Sequence, residues 1–280
     1  MRTLAALAST LLGAAVAASA VAAQGTPEVV RYVRYEHAGA VSYGVLEGDR
    51  VREIDGDLFG AHHDTDRWLA LGDVKLLPVT PARKVIAVGL NYQSHLGQRQ
   101  SATYPGLFAK YPTSLVGSGA NIVRPPDSKN LHYEGEMVLV IGRTCRQVTK
   151  ALAMGCVFGI TAGNDVSERD WQANDLQWFR AKASDTFGPV GPVIATGLNP
   201  DDVQVETRVN GEVRQHARTS SLIFDVPTIV SYVSRYVTLQ PGDLIFTGTP
   251  GSTKAMNPGD VVEVEVEGVG ILRNTVVQGG

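Results

Sequence analysis

His132-Tyr133-Glu134-Gly135-Glu136-Met137-Val138-Leu139-Val140-Ile141-Gly142 is an apolar run with two carboxylates at its mouth. Its length and its glycine boundary read as a strand buried on both faces. Strand side chains alternate, so Glu134 and Glu136 share a face, and Gly135 between them leaves room for a ligand to approach. Two neighbouring carboxylates at a core entrance repel each other, and burial disfavours both charges unless a cation or a proton intervenes. A hard divalent ion held through oxygen removes both costs. A third carboxylate, Asp165, ends Gly159-Ile160-Thr161-Ala162-Gly163-Asn164-Asp165, again at the close of an apolar run. A lone Glu-x-Glu is more often a solvated or ion-paired strand end. Polar clusters elsewhere in the chain reverse that reading.

The chain has 280 residues, enough for one large domain or a large one with a small one, and 44% hydrophobic with 19% charged residues describes an ordinary globular protein. A net charge of −3 leaves no basic footprint for nucleic acid. Residues 1–23 read as a secretory signal peptide. Arg2 is the only charge there, Leu4 to Ala17 is apolar and small, and Val21-Ala22-Ala23 precedes Gln24 like a cleavage site. The apolar stretch is too short and alanine-rich for a stable membrane anchor. Export, most simply to a bacterial periplasm, is therefore expected. Export would permit a disulfide between Cys145 and Cys156. One follows a strand and the other lies in a helical stretch, so two separate thiols are expected, and two cysteines cannot build a structural zinc site.

From Val29 to about Gly60, short alternating strands with tight turns at Ala38-Gly39 and Glu47-Gly48-Asp49 suggest a small β-meander. Residues 29–80 are read as a small N-terminal β domain with its connector, the connector running from Asp64 to Thr80. Residues 81–280 form the main domain, opening with the buried strand Lys84 to Gly89. Asn91 to Gln100 is one helical turn or a mobile loop. Asn210-Gly211 supplies a type I′ hairpin turn between Val203–Val209 and Glu212–Gln215. Ile229 to Tyr236 is the clearest helix, with Ile229, Tyr232, Val233 and Tyr236 on one face. Two Pro-Gly-Asp turns, at 241–243 and 258–260, each launch a strand. The expected class is mainly β, or α+β: a mixed β-roll, barrel-like, with few helices.

The chain resembles the fumarylacetoacetate hydrolase family. The matching stretches are VGLNYQSH (88–95), KYPTSLVGSG (110–119), HYEGEMVLVIGR (132–143), GITAGNDVSERDWQ (159–172), QWFRAKASDTFGPVGP (177–192), VNGEVRQ (209–215) and LQPGDLIFTGTP (239–250). VRYVRYEHAGAVSYGVLEGDRVREIDGD (30–57) resembles the small accessory domain of many members. The resemblance implies a β-roll, usually homodimeric, that binds Mg²⁺ or Mn²⁺ through Glu134, Glu136 and Asp165. It implies small 2-oxo or β-diketo acid substrates, whose carboxylate and keto oxygen can chelate such an ion. His95 resembles the family's general base, and imidazole suits that task near neutrality. Lys182 resembles the lysine beside the metal. Thr249 is matched to a carboxylate contact through its hydroxyl and N–H. Tyr92, Lys110, Gln172, Arg180 and Gln215 are candidate substrate-binding or supporting groups.

The main departure is Gln98. Hydrolytic and decarboxylating members pair the histidine with a glutamate three residues on, and glutamine cannot stabilise an imidazolium by charge. The loop Gly251 to Asn257 is also shorter than usual, which should alter the acyl groups that fit. The leading expectation is a divalent-metal-dependent hydrolase cleaving a C–C bond in acylpyruvate-like or fumarylacetoacetate-like acids. The alternatives are a decarboxylase or isomerase of 2-hydroxymuconate-type diacids, which Gln98 favours, and an exported 2-oxo-acid binding protein with weak catalysis.

Overall fold

The computed structural model describes residues 28–280, so the expected leader at 1–23 lies outside the described residues. Its central element is an antiparallel pair, Gly135–Ile141 with Val157–Asn164, in which Glu136 faces Gly163 and Ile141 faces Val157. Every residue of Gly135–Ile141 is buried. Met137, Leu139 and Ile141 enter one hydrophobic core while Val138 and Val140 enter another. Filling both faces is what an uninterrupted apolar run requires, at about 1.5–3 kcal/mol for each large side chain buried.

The two ends of this pair do different work. Its open end carries Glu134, Glu136 and Asp165, joined by the Asp165 N–H donating to the Glu134 carbonyl at 2.8 Å. Beyond its other end, Cys145 and Cys156 form a disulfide, with their Cα atoms 6.2 Å apart. The expectation of two separate thiols is therefore corrected. Residues 142–156 are the connection of a hairpin, so a strand end and a helical turn that read as distant are returned to each other. Gly135 is also corrected. A Cβ there would collide with the Thr207 hydroxyl of strand Gln204–Val209, on the face opposite the glutamates. That glycine admits a second sheet, not a ligand.

The main sheet runs, in spatial order, His62–Ala70, Arg50–Gly56, Ala40–Glu47, Arg31–His37, Gly188–Ala195, Val157–Asn164, Gly135–Ile141, Leu244–Phe246, Val85–Gly89, Gly106–Lys110. The expected meander is present, but its fourth strand, His62–Ala70, occupies ground read as connector. Arg31 pairs with Ala195 and Tyr32 with Ile194, so the N-terminal unit extends the main sheet. Leu244–Phe246 lies parallel to Val85–Gly89; a 3₁₀ turn, Gln93–His95, follows soon after the latter.

A second sheet orders Glu212–Arg218, Gln204–Val209, Val261–Val266, Gly270–Gln278 and Asn121–Arg124. Val205, Val264, Val266 and Leu272 share the core of Met137 and Leu139, which places this sheet over the central pair. Among the described residues neither sheet closes into a barrel. The hairpin at Asn210-Gly211 has both residues at positive φ, +53° and +81°, as a type I′ turn needs. Both Pro-Gly-Asp turns place glycine at positive φ and precede the strands Leu244–Phe246 and Val261–Val266. The helix Val226–Tyr236 starts at Asp225, whose carboxylate accepts the Thr228 N–H at 2.8 Å. Its buried face is Val226, Ile229, Val230 and Val233. Tyr236 is instead exposed, and Tyr232 stacks on Tyr104 outside the core.

Candidate metal centre and active site

Glu134, Glu136 and Asp165 are buried, and an oxygen from each lies within 4.8 Å of the others. The alternation that joins the glutamates and the register that sets Gly135 opposite Asn164 bring this about. Two of the three carboxylates have cationic partners from other elements. Lys182, on helix Phe179–Ala183, donates to Glu134 Oε2 at 2.6 Å and to Asp165 Oδ2 at 2.7 Å. Lys110, at the end of Gly106–Lys110, donates to Asp165 Oδ1 at 2.6 Å and to the Lys182 carbonyl. Arg169, opening helix Arg169–Asn174, donates from Nη2 to Glu134 Oε1 at 2.6 Å.

Glu136 has no such partner. Its one hydrogen bond comes from the Gly248 N–H, at 2.7 Å. Burial, then the charges of Asp165 and Glu134, push its pKa well above the ordinary value. Burial would also raise Glu134, but Lys182 and Arg169 outweigh it and hold that carboxyl well below the ordinary range. Burial lowers Lys110 against the opposing pull of Asp165. Lys182 is raised: burial opposes its charge, but Asp165 and Glu134 together prevail. A buried carboxylate with no cation of its own, beside two others, leaves a place that a bound cation would fill. An all-oxygen donor set fits Mg²⁺ or Mn²⁺, with Glu134, Glu136 and Asp165 as the residues that would hold it.

The triad opens into a cavity of about 450 Å³ whose wall also includes His95, Lys182 and Thr249. His95 Nδ1 bonds the Gly251 carbonyl, and Nε2 stands 3.5 Å from Glu134 Oε1. A carbonyl only accepts, so Nδ1 donates to it, and Nε2 is the ring nitrogen turned toward the triad. Gln98 is elsewhere. The Arg99 N–H closes a turn onto the Leu96 carbonyl at 3.1 Å with Gly97 at φ +60°, which ends the 3₁₀ turn and leaves Gln98 exposed, outside the cavity wall.

The Thr249 hydroxyl donates to the Gly135 carbonyl at 2.9 Å and accepts from Gln215 Nε2 at 2.7 Å. Gln215 Oε1 also accepts the Gly135 N–H at 3.0 Å, so Gln215 braces the wall from behind. Gln172 lines the cavity and accepts from Arg169 Nη1 at 2.7 Å. Tyr92 is buried behind the cavity; burial, then Glu136, raises its hydroxyl pKa. Arg180 turns away, bonding Asp175 at 2.7 and 2.9 Å and lying over the Trp171 ring.

Among the wall residues that the sequence reading missed are Arg99, Phe108, Arg169 and Trp178. Arg169 had a usable signal, since three residues separate it from Gln172 and helical spacing puts both on one face. Thr253 holds Arg169 from the far side, accepting from Nη2 at 2.9 Å, and its hydroxyl also meets His132 Nδ1 at 2.8 Å. The other His132 nitrogen meets Asn130 Oδ1 at 2.7 Å. Burial, then the Arg169 charge, push the His132 pKa down to about 4.

Comparison with known proteins agrees with this geometry. Residues 84–277 match the family described as fumarylacetoacetate (FAA) hydrolase C-terminal, and residues 30–78 match Rv2993c-like, N-terminal. The chain is 42% identical over 264 residues to Protein Rv2993c of Mycobacterium tuberculosis, covering 90% of this chain and 99% of that one. It is 39% identical over 216 residues to the mitochondrial oxaloacetate tautomerase Fahd2a of Rattus norvegicus, covering 72% and 69%. A crystal structure of 2-hydroxyhepta-2,4-diene-1,7-dioate isomerase from Mycobacterium marinum superposes with TM-score 0.84 at 43% identity, covering 90% of this chain and 99% of that one. Maleylpyruvate hydrolase from Sphingobium sp. SYK-6, in complex with manganese(II) and pyruvate, superposes with TM-score 0.74 at 29% identity, covering 89% and 100%. With the acidic triad at the open end of its central hairpin, the chain belongs to the fumarylacetoacetate hydrolase family, whose members are enzymes.

Proposed function

We propose that this chain is a divalent-metal-dependent enzyme that moves a proton at the carbon beside the keto group of a 2-oxo acid, isomerising or tautomerising its substrate. The observation that carries this is the place of His95, whose Nε2 stands 3.5 Å from a carboxylate of the triad. A base set so close to the ion's ligands reaches protons near the keto group sooner than a distant acyl carbon. When bound, the ion supplies the positive charge that lowers the energy of an enolate. His95 Nε2 takes the proton from the adjacent carbon, and the Gly251 carbonyl keeps the ring in the tautomer able to do so. Lys182, charged and fixed on two carboxylates, faces the substrate oxygens as charge develops. Thr249 has committed its hydroxyl to Gly135, which leaves its backbone N–H as the donor for a substrate oxygen. Return of the proton from His95 to a different atom completes an isomerisation with no water consumed.

C–C hydrolysis of an acylpyruvate is the second reading. It is favoured by the same nitrogen, which could instead activate a water, and by the resemblance to maleylpyruvate hydrolase. Export rests on the sequence of residues 1–23 and is supported by the disulfide, since such bonds persist in oxidising compartments.

The test is exchange of the protons beside the keto group of a 2-oxo acid in D₂O, followed by NMR with Mn²⁺, with Mg²⁺ and after chelation. Metal-dependent exchange that is lost in His95→Ala is expected. Exchange that survives complete metal removal, or none with the metal bound, rejects the proposal. Products then divide the readings: isomerisation keeps the mass, and hydrolysis gives two acids.

A further inference from the structure

Glu134 Oε1 is approached by His95 and by Arg169, and one short loop holds both. Gly251 meets His95 Nδ1 through its carbonyl, and Thr253, two residues on, accepts from Arg169 Nη2 at 2.9 Å. Strand Leu131–His132 seats this loop: the backbone of His132 pairs with Ala255, and the Met256 N–H donates to the Leu131 carbonyl at 2.7 Å. The hydrogens behind Thr253 follow one from another. A carboxylate only accepts, so the Asn130 atom 3.0 Å from Asp170 Oδ1 is its amide nitrogen, and Asn130 Oδ1 faces His132. That oxygen also only accepts, so His132 Nε2 carries a proton and donates to it at 2.7 Å. Burial and the Arg169 charge keep a second proton off the ring at neutral pH. His132 Nδ1 therefore accepts the Thr253 hydroxyl at 2.8 Å, and the Thr253 lone pairs are left turned to Arg169.

We propose that Thr253 and His132 are positioning residues of the metal site: His132 fixes the Thr253 hydroxyl, which aims Arg169 at Glu134 Oε1 and so sets how that carboxylate meets the ion. This rests on the reading that Glu134, Glu136 and Asp165 hold a divalent cation. Arg169 Nη2 has two N–H bonds, one to Glu134 at 2.6 Å and one to Thr253, while Nη1 donates to Gln172 at 2.7 Å. Acceptors on both edges fix a planar guanidinium in its plane. Without Thr253 the plane can turn about the Gln172 contact, and Glu134 loses a directed donor. Hydrogen bonds behind a ligating carboxylate orient it, and losing one typically costs about 10- to 100-fold in metal affinity. Among the described residues neither the Thr253 nor the His132 side chain bonds a triad carboxylate, so both act through Arg169.

The experiment measures the Kd of the full chain for Mn²⁺, without substrate, from the electron paramagnetic resonance signal of the free ion. Thr253→Val keeps the shape of the side chain, removes the acceptor and should raise Kd about 10-fold or more. Thr253→Ala should give the same loss, which separates the missing acceptor from the bulk of valine. Thr253→Ser restores the hydroxyl and should stay within about twofold of wild type. His132→Leu should weaken binding in the same direction but by less, because the hydroxyl remains and only its anchor is gone. His132→Asn, which keeps a hydrogen-bonding group near the place of Nδ1, should recover part of that loss. The double variant Thr253→Val/His132→Leu should bind as Thr253→Val does, since members of one chain are not additive. Melting in chelator is recorded for each, because a merely structural role would lower stability without the serine rescue or the non-additivity. A Kd within about twofold of wild type in Thr253→Val and Thr253→Ala, or single losses that add in the double variant, overturns the proposal and leaves the metal reading intact. If the wild type binds no Mn²⁺, the reading beneath it fails, and this inference with it.

Discussion

Replacing Glu136 with glutamine should make the metal-free protein more stable and the metal-loaded protein no better than the metal-free one. Glu136 is 2% exposed, has no cation and accepts one hydrogen bond. Glutamine keeps the shape and still accepts the Gly248 N–H. Its uncharged amide then faces the carboxylates of Glu134 and Asp165, an oxygen of each lying within 4.8 Å, without repelling them. A buried polar group without adequate partners costs about 1–3 kcal/mol, and a charge costs more. Taking about 2 kcal/mol, and about 2–4 °C per kcal/mol for a chain of this size, the variant should melt about 4–8 °C above wild type in chelator at pH 8.

The pH dependence has a fixed sign. The folded-state pKa of Glu136 lies above its ordinary value of 4.5. Its contribution to stability is thus full below about 4.5 and is lost as pH rises through the folded value. Metal-free wild type should weaken over that window, and the variant should lack this component of the slope. Metal reverses the order. At a hundredfold excess over Kd, binding adds about 2.7 kcal/mol, or about 5–11 °C, to wild type alone. Scanning calorimetry with and without Mn²⁺ makes the comparison. A variant that melts below wild type in chelator, or that keeps the full metal-induced rise, refutes the reasoning.

Three further outcomes follow from other parts of the molecule. Exchanging Cys145 and Cys156 together for serine removes a cross-link spanning 11 residues, worth about 3 kcal/mol, and should lower the melting point by about 6–12 °C. Alkylation of unreduced wild type should find no free thiol, and a labelled thiol would contradict the bond. Gly135→Ala should cost about 1–3 kcal/mol or more in denaturant unfolding, because its methyl meets Thr207 and Val264, and an unchanged midpoint would show that the sheets can part. Gln98→Glu should alter turnover by no more than about twofold, as an exposed turn residue does; a gain of orders of magnitude would mean that the segment refolds around substrate.

The strands and the triad were legible for one reason: their signals are local. Alternation, a Pro-Gly-Asp turn or an apolar run with acids at its mouth is complete within a few residues, and the structure keeps Glu134, Glu136 and Asp165 together. What the sequence hid depends on contacts between distant segments. Lys110, Arg169 and Lys182 come from a strand end and two short helices, and nothing in their spacing says that they share two carboxylates. Cys145 and Cys156 read as separate until residues 142–156 are known to be one hairpin connection. Tyr232 and Tyr236 matched the helical period but fall beside the buried stripe of Val226, Ile229, Val230 and Val233, because the period does not fix which side of the helix meets the sheet.

Position 98 combines both kinds of signal. Three residues after a histidine, an acid would meet the imidazole if the helical turn continued, so Gln98 reads as the loss of a catalytic partner. The turn does not continue. Gly97 takes a left-handed conformation that a side chain would resist, and the next residue faces solvent while Arg99 reaches the cavity. The imidazole is oriented instead by the Gly251 carbonyl, from the loop that the sequence marks as short. A carbonyl fixes the tautomer as a carboxylate would, but it offers no charge to stabilise an imidazolium. The nearest charge to the ring is instead the Glu134 carboxylate, 3.5 Å from Nε2. The glycine, the glutamine and the short loop thus belong to one local arrangement, in which a backbone carbonyl and not a side chain at position 98 orients the histidine.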